Sequence, residues 1–193
     1  MGATGRIQLS LMHTQYSPHT YETKMGFFSF IKDAGEKLFS HKEAEATAAA
    51  AAATDDAAAK EKLDATNRAA GDAIQTYIEA QGLTITGLVV TFDAASSTVN
   101  LFGVAADQAT KEKALLSAGN VSGVSNVNDN MSVDLSEPEA TYHDVVSGDT
   151  LSKIAKAAYG DANKYMVIFE ANKPMLSNPD KIYPGQKLRI PPL

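Results

Sequence analysis

The chain is 193 residues long, has 17 Lys and Arg against 23 Asp and Glu, and carries a formal charge of −6. That length allows one or two domains, and the acidic balance leaves no basic footprint for nucleic acid or an anionic membrane surface. The absence of cysteine rules out disulfides, thiolate metal sites and cysteine nucleophiles, and no run approaches the ~20 apolar residues of a spanning helix.

Residues 1–24 are polar, with His13, Gln15, His19, Glu22 and Lys24 scattered along them. They have no continuous apolar core of the kind a secretory signal needs, so the segment reads as a disordered extension and the chain as cytoplasmic. Met25, followed by Gly26-Phe27-Phe28, reads as a start of its own, which makes residues 1–24 either an extension or a start-site artefact. In residues 25–40, Phe27, Phe30, Ile31, Ala34 and Leu38 fall on one helical stripe. The polar face mixes Lys32 and Lys37 with Asp33 and Glu36, which suits a short amphipathic helix docked on the protein's own core better than one lying on anionic lipid. Residues 41–64 are dominated by alanine and have no large apolar side chain before Leu63, so they are expected to form a solvated linker with transient helicity.

From Ala65 the patterning becomes that of a small domain, residues 65–136. Ala70, Ala73, Ile74, Tyr77 and Ile78 predict a helix ending at Gln81-Gly82, and 88–93 and 98–102 alternate as strands around a turn at 94–97. A second helix over 107–118 starts at an acidic cap and turns Ala114, Leu115 and Ala118 inward, and a strand over 124–133 follows. Residues 141–193 predict a second domain. The strand 143–146 breaks at Gly148-Asp149, and the next helix carries Leu151, Ile154, Ala155 and Ala158 and stops at Gly160. Another helix holds Tyr165, Ile168 and Phe169 and ends near Asn172-Lys173-Pro174. Pro184-Gly185 suits a type II turn into a last strand over 187–190.

Catalysis has little support. The histidines at 13, 19, 41 and 143 form no His-x-x-x-His pair, and there is no phosphate-cradling glycine loop and no G-x-S-x-G elbow. Asp55-Asp56 falls in the alanine-rich stretch and reads as solvated.

Two resemblances organise these elements. Residues 142–191, with the S-G-D-T-L-x-x-I-A start at Ser147, Asn172, and the I-Y-P-G-Q-x-L-x-I-P finish, resemble the LysM domain, a βααβ module that commonly binds N-acetylglucosamine-containing glycans. The corresponding loops would offer Gly148, Asp149, Thr150 and Leu151 on one side and Asn178, Pro179 and Ile182 on the other, although the turn glycines, prolines and core leucines are needed for the fold alone. The preceding zone, with Val99-Asn100-Leu101-Phe102-Gly103 and Gly123-Val124-Ser125-Asn126-Val127, resembles the non-catalytic BON domain. The fold class is therefore α+β, a BON-like αββαβ domain followed by a LysM βααβ domain.

From Met25 onward, the M-G-F-F-S-F-I-K-D-A-G-E-K-L start, the S-A-G-N-V-S-G-V run and the F-E-A-N-K-P-M-L-S-N-P-D-K-I-Y-P-G-Q-K-L-R-I-P tail resemble the small cytoplasmic BON–LysM potassium-binding proteins of bacteria. That resemblance implies a K⁺ sensor or buffer, not an enzyme, that becomes more ordered and compact around the ion, with other protein partners unspecified. It places the coordinating main-chain carbonyls on Ile31, Ala34 and Glu36 and on Gly119, Val121 and Val124. Carbonyl oxygens can replace the hydration shell of K⁺, and such a site leaves almost no side-chain signature. Gly35 could interrupt the first helix and turn its carbonyls outward, with Gly119 and Gly123 making the second segment pliable; equally, Gly35 could only end a helix and Gly119 only cap one. Glycan binding at the envelope is the alternative function.

Overall fold

The structure is a computed structural model that describes residues 26–29, as a strand, and residues 35–193. Strand β1 is Gly26–Ser29, followed by helices α1 (His41–Ala53) and α2 (Ala57–Glu79), strands β2 (Ile85–Asp93) and β3 (Thr98–Asp107), helix α3 (Gln108–Gly119) and strand β4 (Asn126–Leu135). The C-terminal unit is β5 (Thr141–Asp144), α4 (Leu151–Tyr159), a 3-10 turn over Ala162–Lys164, α5 (Tyr165–Ala171) and β6 (Lys187–Ile190). Both expected orders, αββαβ and βααβ, are present.

The first sheet runs β1-β4-β3-β2. β2 and β3 form an antiparallel hairpin, whereas β3 and β4 are parallel and joined by α3, the crossover that parallel neighbours require. Alternation decides which side is buried. Val99, Leu101 and Ala105 of β3 and Val127 and Met131 of β4 point into one core with Ile74 and Ile78 of α2 and Ala114, Leu115 and Ala118 of α3. Burying each large aliphatic chain there contributes about 1.5–3 kcal/mol. The second core, around Leu151, Ile154, Ile168 and Leu188, lies between the β5–β6 pair and its helices. The expected type II turn closes with Gln186 N–H donating to Tyr183 O at 3.1 Å.

Two N-terminal expectations are corrected. The segment 41–64 is not a solvated linker: it contains all of α1 and the start of α2, parted only by residues 54–56. The side chains that make this work are small. Ala44, Thr47, Ala48 and Ala51 recur at helical spacing and are all buried, so α1 packs closely on α2 without any large apolar residue. Each helix has its own side-chain cap, Ser40 accepting from Glu43 N–H and Asp56 from Ala58 N–H.

The second correction concerns residues 25–40, read as an amphipathic helix. Gly26–Ser29 is instead a strand, antiparallel to β4 with Gly26 opposite Asp129 and Ser29 opposite Asn126. The edge of β4 offers a row of main-chain partners that outweighs a weak helical stripe, and adjacent phenylalanines suit a strand. Residues 1–25, and Phe30 to Ala34, lie outside the described residues.

Candidate functional site

Beyond Gly35 the chain runs alongside the segment that leaves α3. Glu36 and Val121 form an isolated parallel bridge. Glu36 N–H donates to Asn120 O at 2.9 Å, and Ser122 N–H donates to Glu36 O at 2.7 Å. The bridge requires glycine at 35. Gly35 has φ +108°, and a Cβ there would collide with the main-chain carbonyl of Asn120.

On the other side, α3 ends at Gly119 and its last carbonyls face the C-terminal end, the negative pole of the helix dipole, where a cation is favoured. Asn120 sits at φ −82°, ψ 16°, so the main chain leaves the helical course there. The next four residues form a tight turn, with Val124 N–H donating to Val121 O at 3.1 Å and Gly123 at φ +99° in the third position, as a type II turn needs. A Cβ on Gly123 would strike His41, with the Phe39 ring 3.4 Å away. Val121 and Val124 are fully buried in the first core, and Ser125 N–H donates to Ser97 O in the β2–β3 turn at 2.8 Å. Apolar side chains thus fix the turn from below, where it follows directly on the end of α3.

Of the six residues singled out for carbonyl coordination, the structure sets Glu36 directly beside Val121, with Gly119 and Val124 on the same short stretch of chain as Val121. Ile31 and Ala34 lie outside the described residues. Among the described residues, no group of three or more Asp, Glu or His side chains is placed to hold a metal ion.

The C-terminal domain closes over this region. Gly35, Glu36, Tyr77 and Asn120 line a cleft of about 150 Å³ together with residues of 175–186, among them Tyr183. Burial, and then the Glu36 carboxylate, raises the Tyr77 hydroxyl pKa. Burial likewise pushes Tyr183 up to about 12, helped by Tyr77 and Glu36.

Asn120, which the sequence did not single out, joins the two sides. Its Nδ2 donates to Lys187 O at 3.0 Å, its Oδ1 accepts Lys187 N–H at 2.9 Å, and it also lies 3.2 Å from Met175 Sδ. An asparagine after a helix-ending glycine reads as an ordinary cap, so nothing local marks it. Nearby, the buried Glu112 of α3 pairs with Arg189 of β6 at 2.5 Å and also accepts from Gln108 Nε2 and Ala140 N–H, each at 2.9 Å.

Of the residues weighed for glycan binding, Asp149, Thr150, Leu151 and Asn178 are engaged in local structure. Asp149 receives Val146 N–H at 3.0 Å and pairs with His143 Nε2 at 2.8 Å. The His143 contact and then the Val146 hydrogen bond hold its carboxyl below the usual range. Thr150 caps α4 through Lys153 N–H, Leu151 is buried core, and Asn178 accepts from Asp180 N–H. Gly148 is exposed, while Pro179 and Ile182 are half-buried.

Comparison with known proteins agrees with this architecture. The LysM domain family matches residues 143–191. An uncharacterized protein of Deinococcus radiodurans is 55% identical over 51 residues, 26% of this chain and 19% of its own length. The potassium binding protein Kbp of Escherichia coli O6:H1 is 42% identical over 169 residues, covering 86% of this chain and 99% of that protein. A match of that identity over nearly the whole relative, on a chain with a LysM domain at its C-terminal end, shows that the chain belongs to the family of the potassium binding protein Kbp.

Proposed function

We propose that the chain is a cytoplasmic, non-enzymatic K⁺-binding protein that holds the ion through main-chain carbonyls of the Gly35–Glu36 segment and the 119–124 turn, in the BON-like half. The observation that carries this reading is the Glu36–Val121 bridge, which sets two carbonyl-bearing segments side by side at the negative end of α3. Glu36, Gly119, Val121 and Val124 supply oxygens in this reading, and Ile31 and Ala34 complete the shell. Main-chain oxygens suit a large, weakly hydrated cation because they replace water without the charge of a carboxylate cluster. Because two segments far apart in sequence must meet to bind the ion, binding favours the ordered form. The protein then acts as a sensor or buffer.

A ligand that binds only the folded form stabilises it in proportion to RT ln(1 + [L]/Kd). Melting in KCl is therefore expected to exceed melting in NaCl at equal ionic strength, with the difference rising logarithmically with K⁺ above Kd. Coincident melting curves in the two salts would reject K⁺ binding. A glycan-binding reading is favoured by one observation, the LysM match over 143–191. Retention on purified peptidoglycan, with no K⁺-dependent stabilisation, would replace the ion reading with that one.

A further inference from the structure

Strand β6 is hydrogen-bonded on one edge to β5, with Leu188 opposite His143 and Ile190 opposite Thr141. Its other edge is satisfied by two asparagine side chains. Asn172, from within the C-terminal domain, receives Arg189 N–H at 2.8 Å and donates to Arg189 O at 2.8 Å. Asn120 does the same to Lys187, at 2.9 and 3.0 Å, but it belongs to the other domain. Each primary amide imitates the missing neighbouring strand, giving one acceptor and one donor to a residue whose N–H and C=O face the same way.

Asn120 is thus held three ways. Its own N–H donates to Leu116 O, its carbonyl accepts from Glu36 N–H, and its side chain is clamped on β6. It is 6% exposed, so these groups cannot turn to water instead. The peptide planes on either side of Asn120 are those that orient the Gly119 carbonyl and lead to the Val121 carbonyl. We infer that Asn120 is a positioning residue: through its amide clamp on Lys187, the LysM strand fixes the aim of the carbonyls in the 119–124 turn, so the C-terminal domain sets part of the affinity for K⁺. This rests on the K⁺ reading above. By linkage, K⁺ must in turn tighten the clamp.

The test uses the full chain, with K⁺ affinity measured by isothermal titration and exchange of the Lys187 and Arg189 amides followed by NMR. In the wild type, K⁺ should slow exchange of the Lys187 amide. Asn120→Ala should weaken K⁺ binding by about tenfold, within the usual range of coupling between sites. Asn120→Ser is too short to reach both groups of Lys187, adds no charge, and should weaken binding as alanine does; it also serves if the alanine variant does not fold. Asn172→Ala removes the equivalent clamp one residue pair along the same strand and should change K⁺ affinity less than twofold. Wild-type affinity in both Asn120 variants would overturn the inference. An equal loss in Asn172→Ala would do so too, because general loosening of β6 would then account for it. Absence of any K⁺ binding by the wild type would instead reject the K⁺ reading itself.

Discussion

Gly35→Ala is expected to abolish the difference between melting in KCl and in NaCl, and to lower stability in both. Two costs combine at this position. The positive φ of +108° disfavours any residue with a Cβ, by about 1–3 kcal/mol. In addition the new methyl group would occupy the place of the Asn120 carbonyl, so the strain cannot be absorbed locally. Either the main chain at 35 or the 119–121 segment must move, and in both cases Glu36 parts from Val121. Gly82→Ala is the matching control. Gly82 also has positive φ, +69°, but a Cβ there meets nothing within 4 Å. That variant should lose about 1 kcal/mol at a helix end and keep the whole K⁺ response. Thermal melts of the two variants in both salts make the comparison, and a K⁺ response in Gly35→Ala equal to that of the wild type would show that the bridge has no part in the site.

Arg189→Met should produce the largest loss of stability at the domain boundary. Glu112 is 1% exposed and its carboxylate faces Arg189 Nε, Gln108 Nε2 and Ala140 N–H. Removing the guanidinium leaves a buried carboxylate with two neutral donors and no counter-charge, a loss of about 3–5 kcal/mol for pairs broken this way. The pair itself contributes far less than that, since desolvating both ions offsets most of their attraction. The double variant Glu112→Gln with Arg189→Met should therefore be more stable than Arg189→Met alone. It removes the stranded charge while an amide oxygen remains for Ala140 N–H. Urea unfolding of the three proteins measures this, and a double variant no more stable than the single one would refute the assignment of the loss to an unpaired buried charge.

How much of this was legible beforehand varies along the chain for physical reasons. The C-terminal module was readable because each of its turns demands particular residues, Gly148-Asp149 after β5 and Pro184-Gly185 before β6, with helical spacing between. The αββαβ order was readable from alternation at 98–102 and from the stripe of Ile74, Tyr77 and Ile78. Helix α1 leaves little trace in the pattern because hydrophobic patterning weighs large side chains, whereas Ala44, Ala48 and Ala51 bury little area each and act by letting two helices approach closely. Strand β1 has no local signature because its partner, β4, lies about a hundred residues away.

The site itself divides along the same line. Spacing alone left Gly35 and Gly119 open between an ion site and ordinary helix ends, since a main-chain carbonyl has the same chemistry in every residue. Spacing also carries no sign that Glu36 lies beside Val121 or that Gly35 has room only for a hydrogen, since both depend on a segment about 85 residues away. Asn120 carries no local mark because the partner of its side chain, Lys187, lies 67 residues later.

The most direct measurement of the central claim is a K⁺ titration of protein carrying ¹³C at the main-chain carbonyls, with NaCl holding ionic strength constant. Saturable shifts are expected at the carbonyls of Glu36, Gly119, Val121 and Val124, with those of Ile31 and Ala34 moving in step, and no comparable change on adding further Na⁺. Carbonyls at these positions that stay still while K⁺ binds, or that respond equally to Na⁺, would contradict the account.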